Sequence, residues 1–310
     1  IIIPANSAAD TAYSVDNSCR FNRGDSAYMH KTPTSTGNVY TATFSVWLKR
    51  GANFAAQNNL FTSFPETERT QIFFTTSDTL HVQAYVSGSA TTNVETTRRF
   101  RDPSAWYHIV VAFDTTQSTA ANRIKIFVNG GSAETALEQN TYQSEDGTLS
   151  FNTDDNQILI GAYGSPSLYL DGYMAELCWI DGTAYAPSDF GEFDEDSPTI
   201  WKPKDVSGLS FGTNGFYLDF EDSANLGNDK NGGTDLTETN LAATDQTTDT
   251  PTLNYMTLNP VAAGVGDTAR IPTFSEGNTK FTAAGSDTFY QAISTFGVST
   301  GQWYFEVKVA

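Results

Sequence analysis

The sequence predicts an all-β protein built as an antiparallel sandwich of two sheets. Stretches with apolar residues at helical spacing are nearly absent. Short runs rich in Val, Ile, Phe, Tyr and Trp recur along the chain, and Thr, Ser, Asn, Asp and Gly fill the intervals between them. Such runs, separated by turn residues, are typical of sandwiches and barrels.

The predicted strands follow one another from the amino-terminal side. A short run, SCRF, precedes a turn, and YTATFSVWL then alternates so that Phe44, Val46 and Leu48 share one face. Asn129-Gly130 follows RIKIFV and is the strongest short hairpin signal in the chain. The remaining runs are QIFF, LHVQAYV, WYHIVVAF, QILI and MAELCWI, which begin at residues 71, 80, 106, 157 and 174.

Three tryptophans lie within these runs, namely Trp47, Trp106 and Trp179. We predict that they are packing residues, because large aromatic side chains in strands are usually buried. Inward side chains of both sheets then form a core between layers about 10 Å apart.

The chain is strongly acidic. Its 310 residues carry 17 Lys and Arg against 36 Asp and Glu, a formal net charge of −19. Because such a protein repels phosphate backbones and anionic lipids, neither nucleic acid nor a membrane is a predicted partner. No apolar run approaches the roughly 20 residues that a membrane-spanning helix needs.

The cysteines and histidines are few. Cys19 and Cys178 each lie in a strand-like run, and we interpret them as buried thiols, with a bridge between the first and last strands as the alternative. His30, His81 and His108 are scattered, so we predict strand residues with local hydrogen bonds rather than zinc ligands.

Three segments occur in the order WYHIVVAFD, RIKIFVNG and YLDGYMAELCWIDG. The series resembles the laminin-G-like, concanavalin A-like jelly-roll domains. In these domains a strand like WYHIVVAFD is followed by a hairpin like RIKIFVNG, and a closing strand completes the domain. In that family the closing strand pairs with an amino-terminal strand, whose counterpart here is CRFNRG. The resemblance implies a jelly roll over residues 10–196.

Five longer segments also resemble large structural proteins of marine and cyanobacterial bacteriophages. The resemblance implies a virion protein, made in the host cytoplasm and displayed on the particle surface. The last residues, TFGVSTGQWYFEVKV, are similar to the opening strands of a SPRY-like sandwich and imply a longer natural chain. The five segments are DNSCRFNRGDSAYM, FRDPSAWYHIVVAFDTTQST, ELCWIDGTAYAPSDFGEFDED, FGTNGFYLDFEDSANLGND and DTPTLNYMTLNP.

We therefore expect four parts. Residues 1–9 form an amino-terminal arm, residues 10–196 the jelly roll, residues 197–275 an extended connector, and residues 276–310 the beginning of the SPRY-like sandwich. The connector carries one added strand, FYLDF, and its residues 221–251 are almost free of large apolar side chains. We expect a long loop there that wraps other surfaces. QWYFEVKV at the end is predicted to be a strand.

The tetrapeptide Arg23-Gly24-Asp25-Ser26 matches a sequence that integrin ligands display. It follows the first predicted strand, where the resembling domains have a turn. We interpret it as a turn, in which glycine supplies a positive φ and the aspartate bonds local backbone. Short motifs of this kind recur by chance.

Clustered oxygen atoms make calcium the candidate cofactor, because this cation binds several carboxylate and carbonyl oxygens. Asp154, Asp155 and Asn156 are consecutive, and laminin-G-like domains often hold calcium on a rim loop. A second oxygen-rich group lies at residues 219–222, and neither group has a defined loop code.

Glycan binding requires aromatic rings beside polar groups at a rim. Tyr163, Tyr169 and Tyr185 occupy or flank loops around the last strands of the jelly roll and are the candidate sugar platforms. We expect many weak contacts, multiplied by copies of a homo-oligomer such as a trimer, to attach the particle to host cell-surface polysaccharide.

Two alternatives remain open. A decoration or cement protein would bind other virion proteins without recognising a glycan, and residues 221–260 would then be ordered only against neighbours. A glycan depolymerase would use Glu192, Asp194 and Asp196, because paired carboxylates about 5 Å apart hydrolyse glycosidic bonds with retention. Hydrolysis predicts that such a pair is buried in a groove. We favour a non-catalytic tail or capsid fibre, because fold alone does not imply an enzyme.

Overall fold

The computed structural model describes residues 13–52, 54, 56–263, 271–283, 290–302 and 304–309. The arm predicted at residues 1–9 lies outside these ranges. Within them every regular element is a strand or a short 3-10 helix, so the all-β class is confirmed. The strands are β1 (Ser18–Phe21), β2 (Tyr28–Lys31), β3 (Thr41–Arg50), β4 (Asn58–Phe64), β5 (Thr70–Phe74), β6 (Thr79–Val86), β7 (Ser89–Arg99), β8 (Trp106–Asp114), β9 (Ile124–Val128), β10 (Leu137–Thr141), β11 (Gln157–Ile160), β12 (Gly172–Asp181), β13 (Gly191–Phe193), β14 (Trp201–Pro203), β15 (Phe216–Leu218), β16 (Thr237–Thr239), β17 (Gln246–Thr247), β18 (Thr273–Ser275) and β19 (Lys280–Thr282). The 3-10 helices are Arg23–Asp25, Glu66–Glu68, Ala120–Asn122, Pro187–Asp189 and Ala243–Asp245.

Two antiparallel sheets form the sandwich. The seven-stranded sheet has the order β17-β1-β12-β3-β8-β9, with β15 added to β12. The eight-stranded sheet has the order β10-β7-β6-β5-β4-β11-β2-β16. The closing strand β12 pairs with the amino-terminal strand β1, as the resemblance implied.

The core lies between the sheets. Phe44, Val46 and Leu48 of β3 are fully buried in it, which confirms the predicted alternation. Trp179 stacks on Phe61 of the opposite sheet with ring centroids 4.5 Å apart. Each such side chain stabilises the fold by about 1.5–3 kcal/mol through burial of apolar surface.

Later parts of the chain cover the outer face of the seven-stranded sheet. Two buried clusters form there, apart from the central core. One contains Cys178, Phe190, Phe211 and Tyr217, and the other contains Trp47, Trp106 and Trp201. All three tryptophans predicted to pack are therefore buried, although only Trp179 lies between the sheets.

The chain after residue 196 is integrated into the sandwich. In the described part of residues 197–275 there are five strands, β14 to β18, instead of the single one expected. β15 and β17 extend one sheet, and β16 extends the other. Leu226 and Leu236 are almost fully buried in the core, so the segment predicted as a loop packs onto its own sandwich. The domain boundaries themselves stay a prediction.

The turn at Asn129-Gly130 forms, but the predicted hairpin does not. Both residues have positive φ, 49° and 67°. The next strand, β10, pairs with β7 in the other sheet. A Cβ atom on Gly130 would lie 2.1 Å from the Trp201 ring, so packing against the β13–β14 hairpin requires glycine here.

The strand predicted at residues 302–309 is not present in the residues of that segment that the structure describes. Their side chains are largely exposed, with Tyr304 at 85% and Val309 at 90%. A strand needs a neighbour to satisfy its backbone hydrogen bonds, and the described residues supply none for this segment.

Both cysteines are free and buried, as first interpreted. Cys19 lies in the central core, whereas Cys178 lies in a cluster on the outer face of the same sheet. Among the described residues, none of the helices has the length and apolar character to cross a membrane.

Candidate functional site

One row of mostly polar side chains crosses every strand of the eight-stranded sheet on its outer face. Side chains alternate along a strand, and the residues next to this row, such as Met29, Phe61 and Ile72, point into the core. The register between strands aligns the row from edge to edge. In order across the sheet it consists of Thr237, His30, Leu159, Thr62, Gln71, Gln83, Asn93 and Thr141, which we call the polar row.

Hydrogen bonds satisfy only one half of the polar row. Gln71 Nε2 donates to Gln83 Oε1 at 2.6 Å, and Gln83 Nε2 donates to Asn93 Oδ1 at 2.8 Å. Towards β2, three buried atoms have no hydrogen-bond partner among the described residues. They are His30 Nδ1, Thr62 Oγ1 and Gln71 Oε1. Because buried polar atoms are nearly always paired, this half of the row has unused hydrogen-bonding capacity.

A second set of side chains adjoins the row on the same face. Phe73 and His81 are cross-strand partners with ring centroids 4.9 Å apart. The carboxylate of Glu95 accepts hydrogen bonds from Thr79 Oγ1 at 2.5 Å and Gln139 Nε2 at 2.7 Å. Burial lowers the pKa of His81 more than the nearby Glu95 raises it, which favours a neutral ring. His81 Nε2 is a further buried atom without a partner in the described chain.

Aromatic rings stand at two places beside the polar row. Tyr28 lies two residues before His30 on β2, and its ring centroid is 5.9 Å from that of His30 and 6.2 Å from that of Tyr169. At the other place the Arg69 guanidinium lies 3.6 Å from the Tyr85 ring centroid and 5.7 Å from that of Tyr163. These rings are half-buried and form an aromatic rim around the polar face.

A sequence-family comparison identifies the fold. The model of the laminin G-like family described as "Concanavalin A-like lectin/glucanases superfamily" matches residues 22–184, more than half of the chain. The chain belongs to this superfamily. Its laminin G-like, concanavalin A-like lectin domain includes β2 to β12, and hence most of the polar row.

Solved structures are similar to the laminin G-like domain in fold. The native heptameric SAP-like pentraxin from Limulus polyphemus is 14% identical, covers 56% of this chain and 80% of its own, and has a TM-score of 0.41. Domains LG4-5 of the mouse laminin alpha1 chain are 11% identical over 57% of this chain, with a TM-score of 0.37. The chain spans 44% of that laminin fragment. The CBM40 of a Ruminococcus gnavus IT-sialidase is 13% identical over 47% of this chain and 87% of its own, with a TM-score of 0.33. No curated protein matches the chain.

The three candidate tyrosines do not form one platform. Tyr163 and Tyr169 belong to the loop between β11 and β12 and contribute to the aromatic rim. Tyr169 donates its hydroxyl to Pro166 O at 2.7 Å, and Tyr163 donates to Glu66 Oε1 at 2.6 Å. Burial, followed by this bond to Glu66, raises the pKa of Tyr163 to about 12. Tyr185 follows β12 and packs against the outer face of the seven-stranded sheet, edge-on to Phe190.

The predicted calcium group lies in the turn before β11. Asp154 and Asp155 are exposed, and Asp155 has a φ of 62°. The Asn156 side chain donates Nδ2 to Ser150 O at 3.0 Å, which holds its amide against the backbone. Within the described ranges no group of three or more His, Cys, Asp or Glu could hold a metal ion. In the second oxygen-rich group, at residues 219–222, Asp219 and Glu221 form ion pairs with Lys230.

Of the carboxylates considered for hydrolysis, Glu192 lies on β13, and Asp194 and Asp196 lie in the loop that joins β13 to β14. Glu192 and Asp194 are each 3.5 Å from Lys202 Nζ, and the Glu192 side chain is 53% exposed. Asp194 Oδ1 also accepts from the Asp196 and Ser197 amides. The arrangement is an exposed ion pair with a local turn, and not the buried carboxylate pair that hydrolysis predicts.

Sequence reasoning missed most of the polar row. His30 and His81 were expected to have local partners, and each instead has an unpaired buried nitrogen. The prediction held for His108, which accepts from Trp201 Nε1 at 2.9 Å and lies 3.0 Å from Ser45 Oγ. Burial lowers the pKa of His108 to about 3. The available signal was alternation, because LHVQAYV places His81 and Gln83 between apolar residues and TQIFF places Gln71 beside Ile72.

Proposed function

We propose that the laminin G-like domain binds polysaccharide on the outer face of its eight-stranded sheet and is a non-catalytic part of a bacteriophage virion. One observation carries the binding proposal. His30 Nδ1, Thr62 Oγ1 and Gln71 Oε1 are unpaired along one row, beside a rim of aromatic rings. Sugar hydroxyls donate and accept hydrogen bonds, and aromatic faces pack against the apolar face of a sugar ring.

The dimensions favour an extended ligand. Neighbouring strands lie about 4.8 Å apart, so the three steps from β2 to β5 span about 14 Å. His30 and Gln83 are half-exposed, whereas Thr62 and Gln71 are buried. A ligand would therefore contact His30 and Gln83 first. It would reach Thr62 and Gln71 when the side chains next to them change conformation.

The virion setting rests on the resemblance of five segments to bacteriophage structural proteins. In that setting the partners are other virion proteins and host cell-surface polysaccharide. Copies in a homo-oligomer, such as a trimer, would convert weak single contacts into strong attachment. On the surface of such a particle, the polar row would be able to meet a host glycan.

Neither alternative function gains support. A cement protein predicts that residues 221–260 are ordered only against neighbours, yet Leu226, Leu236 and Asp249 are buried against this chain's own sandwich. A depolymerase predicts buried paired carboxylates, yet Glu192 is exposed. Binding without hydrolysis fits both observations.

The test is retention of the full 310-residue chain on arrays of bacterial surface polysaccharides, with and without a calcium chelator. We expect retention by the wild type and a loss of about ten-fold in affinity for Tyr28→Ala and His30→Ala, because each removes a ring beside the row. Glu192→Gln, on the exposed β13–β14 hairpin, is the control and should bind as the wild type does.

Absence of retention under both conditions would overturn glycan binding, as would equal retention by all variants. Loss of retention in chelator alone would place calcium in the site. Release of soluble oligosaccharides, abolished by Glu192→Gln, would establish the depolymerase instead.

A further inference from the structure

A cavity of about 530 Å³ lies on the opposite side of the sandwich, against the outer face of the seven-stranded sheet. Residues 13–17 form one wall, β12 and β15 form the floor, and the loops on either side of β15 complete it. None of the residues that line it belongs to the polar row, so it is a separate site.

A β-bulge places Glu176 in the floor of this cavity. Ala175 of β12 pairs with Trp47 and Cys178 pairs with Ser45, so two residues of β12 stand opposite one residue of β3. Of those two, Leu177 points into the core and Glu176 lines the cavity. Glu176 has a φ of 49°, a left-handed conformation that is unfavourable for a side chain of this kind.

The Glu176 carboxyl is only partly satisfied by the protein. Its Oε2 accepts from Tyr13 OH and from Tyr217 OH, both at 2.7 Å. Its Oε1 accepts no hydrogen bond from the described residues, and no Lys, Arg or His among them pairs with it. The residue is 6% exposed. A buried carboxylate without a cation is unfavourable, which leaves a place for a positively charged ligand.

The charged side chains that line the cavity also favour a positively charged ligand. Asp16, Asp205, Asp219 and Glu221 also line the cavity, and Lys230 is the one cation in its described lining. Lys230 is already paired, at 3.0 Å from Asp219 and in direct contact with Glu221. Five carboxylates against one ammonium therefore disfavour an anion.

Aromatic rings supply the remaining walls. Tyr13, Phe211 and Tyr217 line the cavity, and the Phe211 and Tyr217 rings are stacked with centroids 6.0 Å apart. Aromatic faces attract organic cations that have left water. A bare metal ion fits poorly, since no group of metal-binding side chains was found in the described chain.

We propose that this cavity binds an organic cation, a primary ammonium or guanidinium group, with Glu176 Oε1 as its charged acceptor and the rings of Tyr13, Phe211 and Tyr217 as its walls. The cation can belong to an amino sugar or to a lysine or arginine side chain of another protein. Both sources present the same chemistry to the site.

Protonation supports this assignment and gives it a pH signature. The pKa of Glu176 is raised to about 7, chiefly by burial and also by Asp219 and Asp205, although the hydrogen bonds from Tyr13 and Tyr217 lower it. The buried Cys178 thiol is a further titratable group nearby, and burial followed by the Glu176 charge raises its pKa. A cation prefers the ionised carboxylate, so binding should be tighter at pH 8 than at pH 6.

The test is calorimetric titration of the full chain with n-butylamine and methylguanidine, with n-butanol as the neutral match. We expect both cations to bind and n-butanol not to bind. Glu176→Gln keeps an acceptor for both tyrosines and should weaken binding about ten-fold or more, because a charged hydrogen bond becomes neutral. Asp219→Asn should cause a smaller loss, and Glu192→Gln should cause none.

Further titrations separate the two sources. Tighter binding of D-glucosamine than of Nα-acetyl-lysine amide would identify an amino sugar, and tighter binding of Nα-acetyl-lysine amide would identify a protein side chain. Binding that is equal for cations and n-butanol, or is absent, would overturn the proposal. If Glu176→Gln fails to fold by circular dichroism, the Asp219→Asn loss and the wild-type pH dependence decide the matter.

Discussion

Lys49 and Asp249 are 200 residues apart in sequence and form a buried ion pair with Nζ and Oδ2 at 2.7 Å. The ammonium also donates to Asn254 Oδ1 and to Tyr255 O, each at 2.8 Å. On the other side, Trp106 Nε1 donates to Asp249 Oδ1 at 3.1 Å. The ion pair and these hydrogen bonds therefore hold residues 249–255 against the outer face of β3. Burial lowers the pKa of Lys49, and Asp249 opposes that shift.

Asp249→Asn should destabilise the protein substantially. It leaves the Lys49 ammonium buried without a counter-charge, and loss of one partner of a buried pair typically costs about 3–5 kcal/mol. The free energy of unfolding from urea titration measures the effect. The double variant Lys49→Met/Asp249→Leu should recover part of the loss, because no unpaired charge remains although Trp106 Nε1 loses its acceptor.

The exposed pair of Arg98 and Glu134 is the matched control. Its atoms are 2.8 Å apart, yet the Arg98 side chain is 51% exposed. Surface pairs contribute about 0–1 kcal/mol, so Glu134→Gln should change the stability by less than that. If Asp249→Asn and Glu134→Gln lowered the free energy of unfolding equally, the Lys49 pair would contribute no more to stability than a surface ion pair.

The ion pair illustrates what the sequence could and could not predict. The strands β3, β5, β6, β8 and β12 were predictable, because alternation and turn residues are local signals. The position of Asp249 was not, since TTDTP carries no apolar periodicity. A segment that packs through a few polar contacts has the same sequence pattern as a solvent-exposed loop. The surface that it packs against must be known before the two can be told apart.

Leu226→Ala tests whether the late segment is part of the core. Leu226 is 1% exposed and belongs to the central cluster, although it follows the jelly roll predicted from sequence. Its truncation should lower the free energy of unfolding by about 2–5 kcal/mol through lost burial and a cavity.

Leu253→Ala is the control for that change, because Leu253 is 45% exposed. We expect an effect within about 0.5 kcal/mol, as for ordinary surface substitutions. If Leu226→Ala were as mild as Leu253→Ala, residues after 196 would contribute little to the fold. Denaturation curves of both variants under one condition decide between these outcomes.

Thr62→Val separates binding from stability in the polar row. Thr62 is fully buried and its Oγ1 has no partner among the described residues. Replacing the hydroxyl with a methyl group should leave the free energy of unfolding unchanged or raise it by about 1 kcal/mol. Polysaccharide retention should fall at the same time.

Thr70→Val is the matched comparison. Thr70 is equally buried, but its Oγ1 accepts from Ser150 Oγ at 3.0 Å. Its loss should cost about 1 kcal/mol or more, because Ser150 loses a partner. Similar destabilisation by both substitutions would mean that the Thr62 hydroxyl is satisfied, and the argument for unused hydrogen-bonding capacity would fail.

The candidate site was predictable only in part, for a physical reason. Tyr163 and Tyr169, which are half-buried in the aromatic rim, were candidates because tyrosines in loops are a local signal. His30, Thr62 and Gln71 fall in one row only through the register of β2, β11, β4 and β5. Glu176 was not singled out either, because its side chain reaches the outer face through a bulge that MAELCWI does not reveal.

The buried Glu176 carboxyl should also make the stability of the protein depend on pH. Burial raises its pKa from 4.5 to about 7, so between these values the folded state binds more protons at this group than the unfolded state does. Stability falls with rising pH wherever the folded state binds more protons. The contribution of Glu176 is therefore fully present below pH 4.5 and is lost as the pH rises through 7.

Urea unfolding of the wild type and Glu176→Gln at pH 5 and pH 8 measures this contribution. At each pH, the free energy of unfolding of Glu176→Gln is subtracted from that of the wild type. This difference should be larger at pH 5 than at pH 8, by up to about 3 kcal/mol. Glu192→Gln should keep the pH dependence of the wild type. A difference that does not change with pH would mean that Glu176 is ionised throughout, and a saturating amine would then stabilise the protein equally at both pH values.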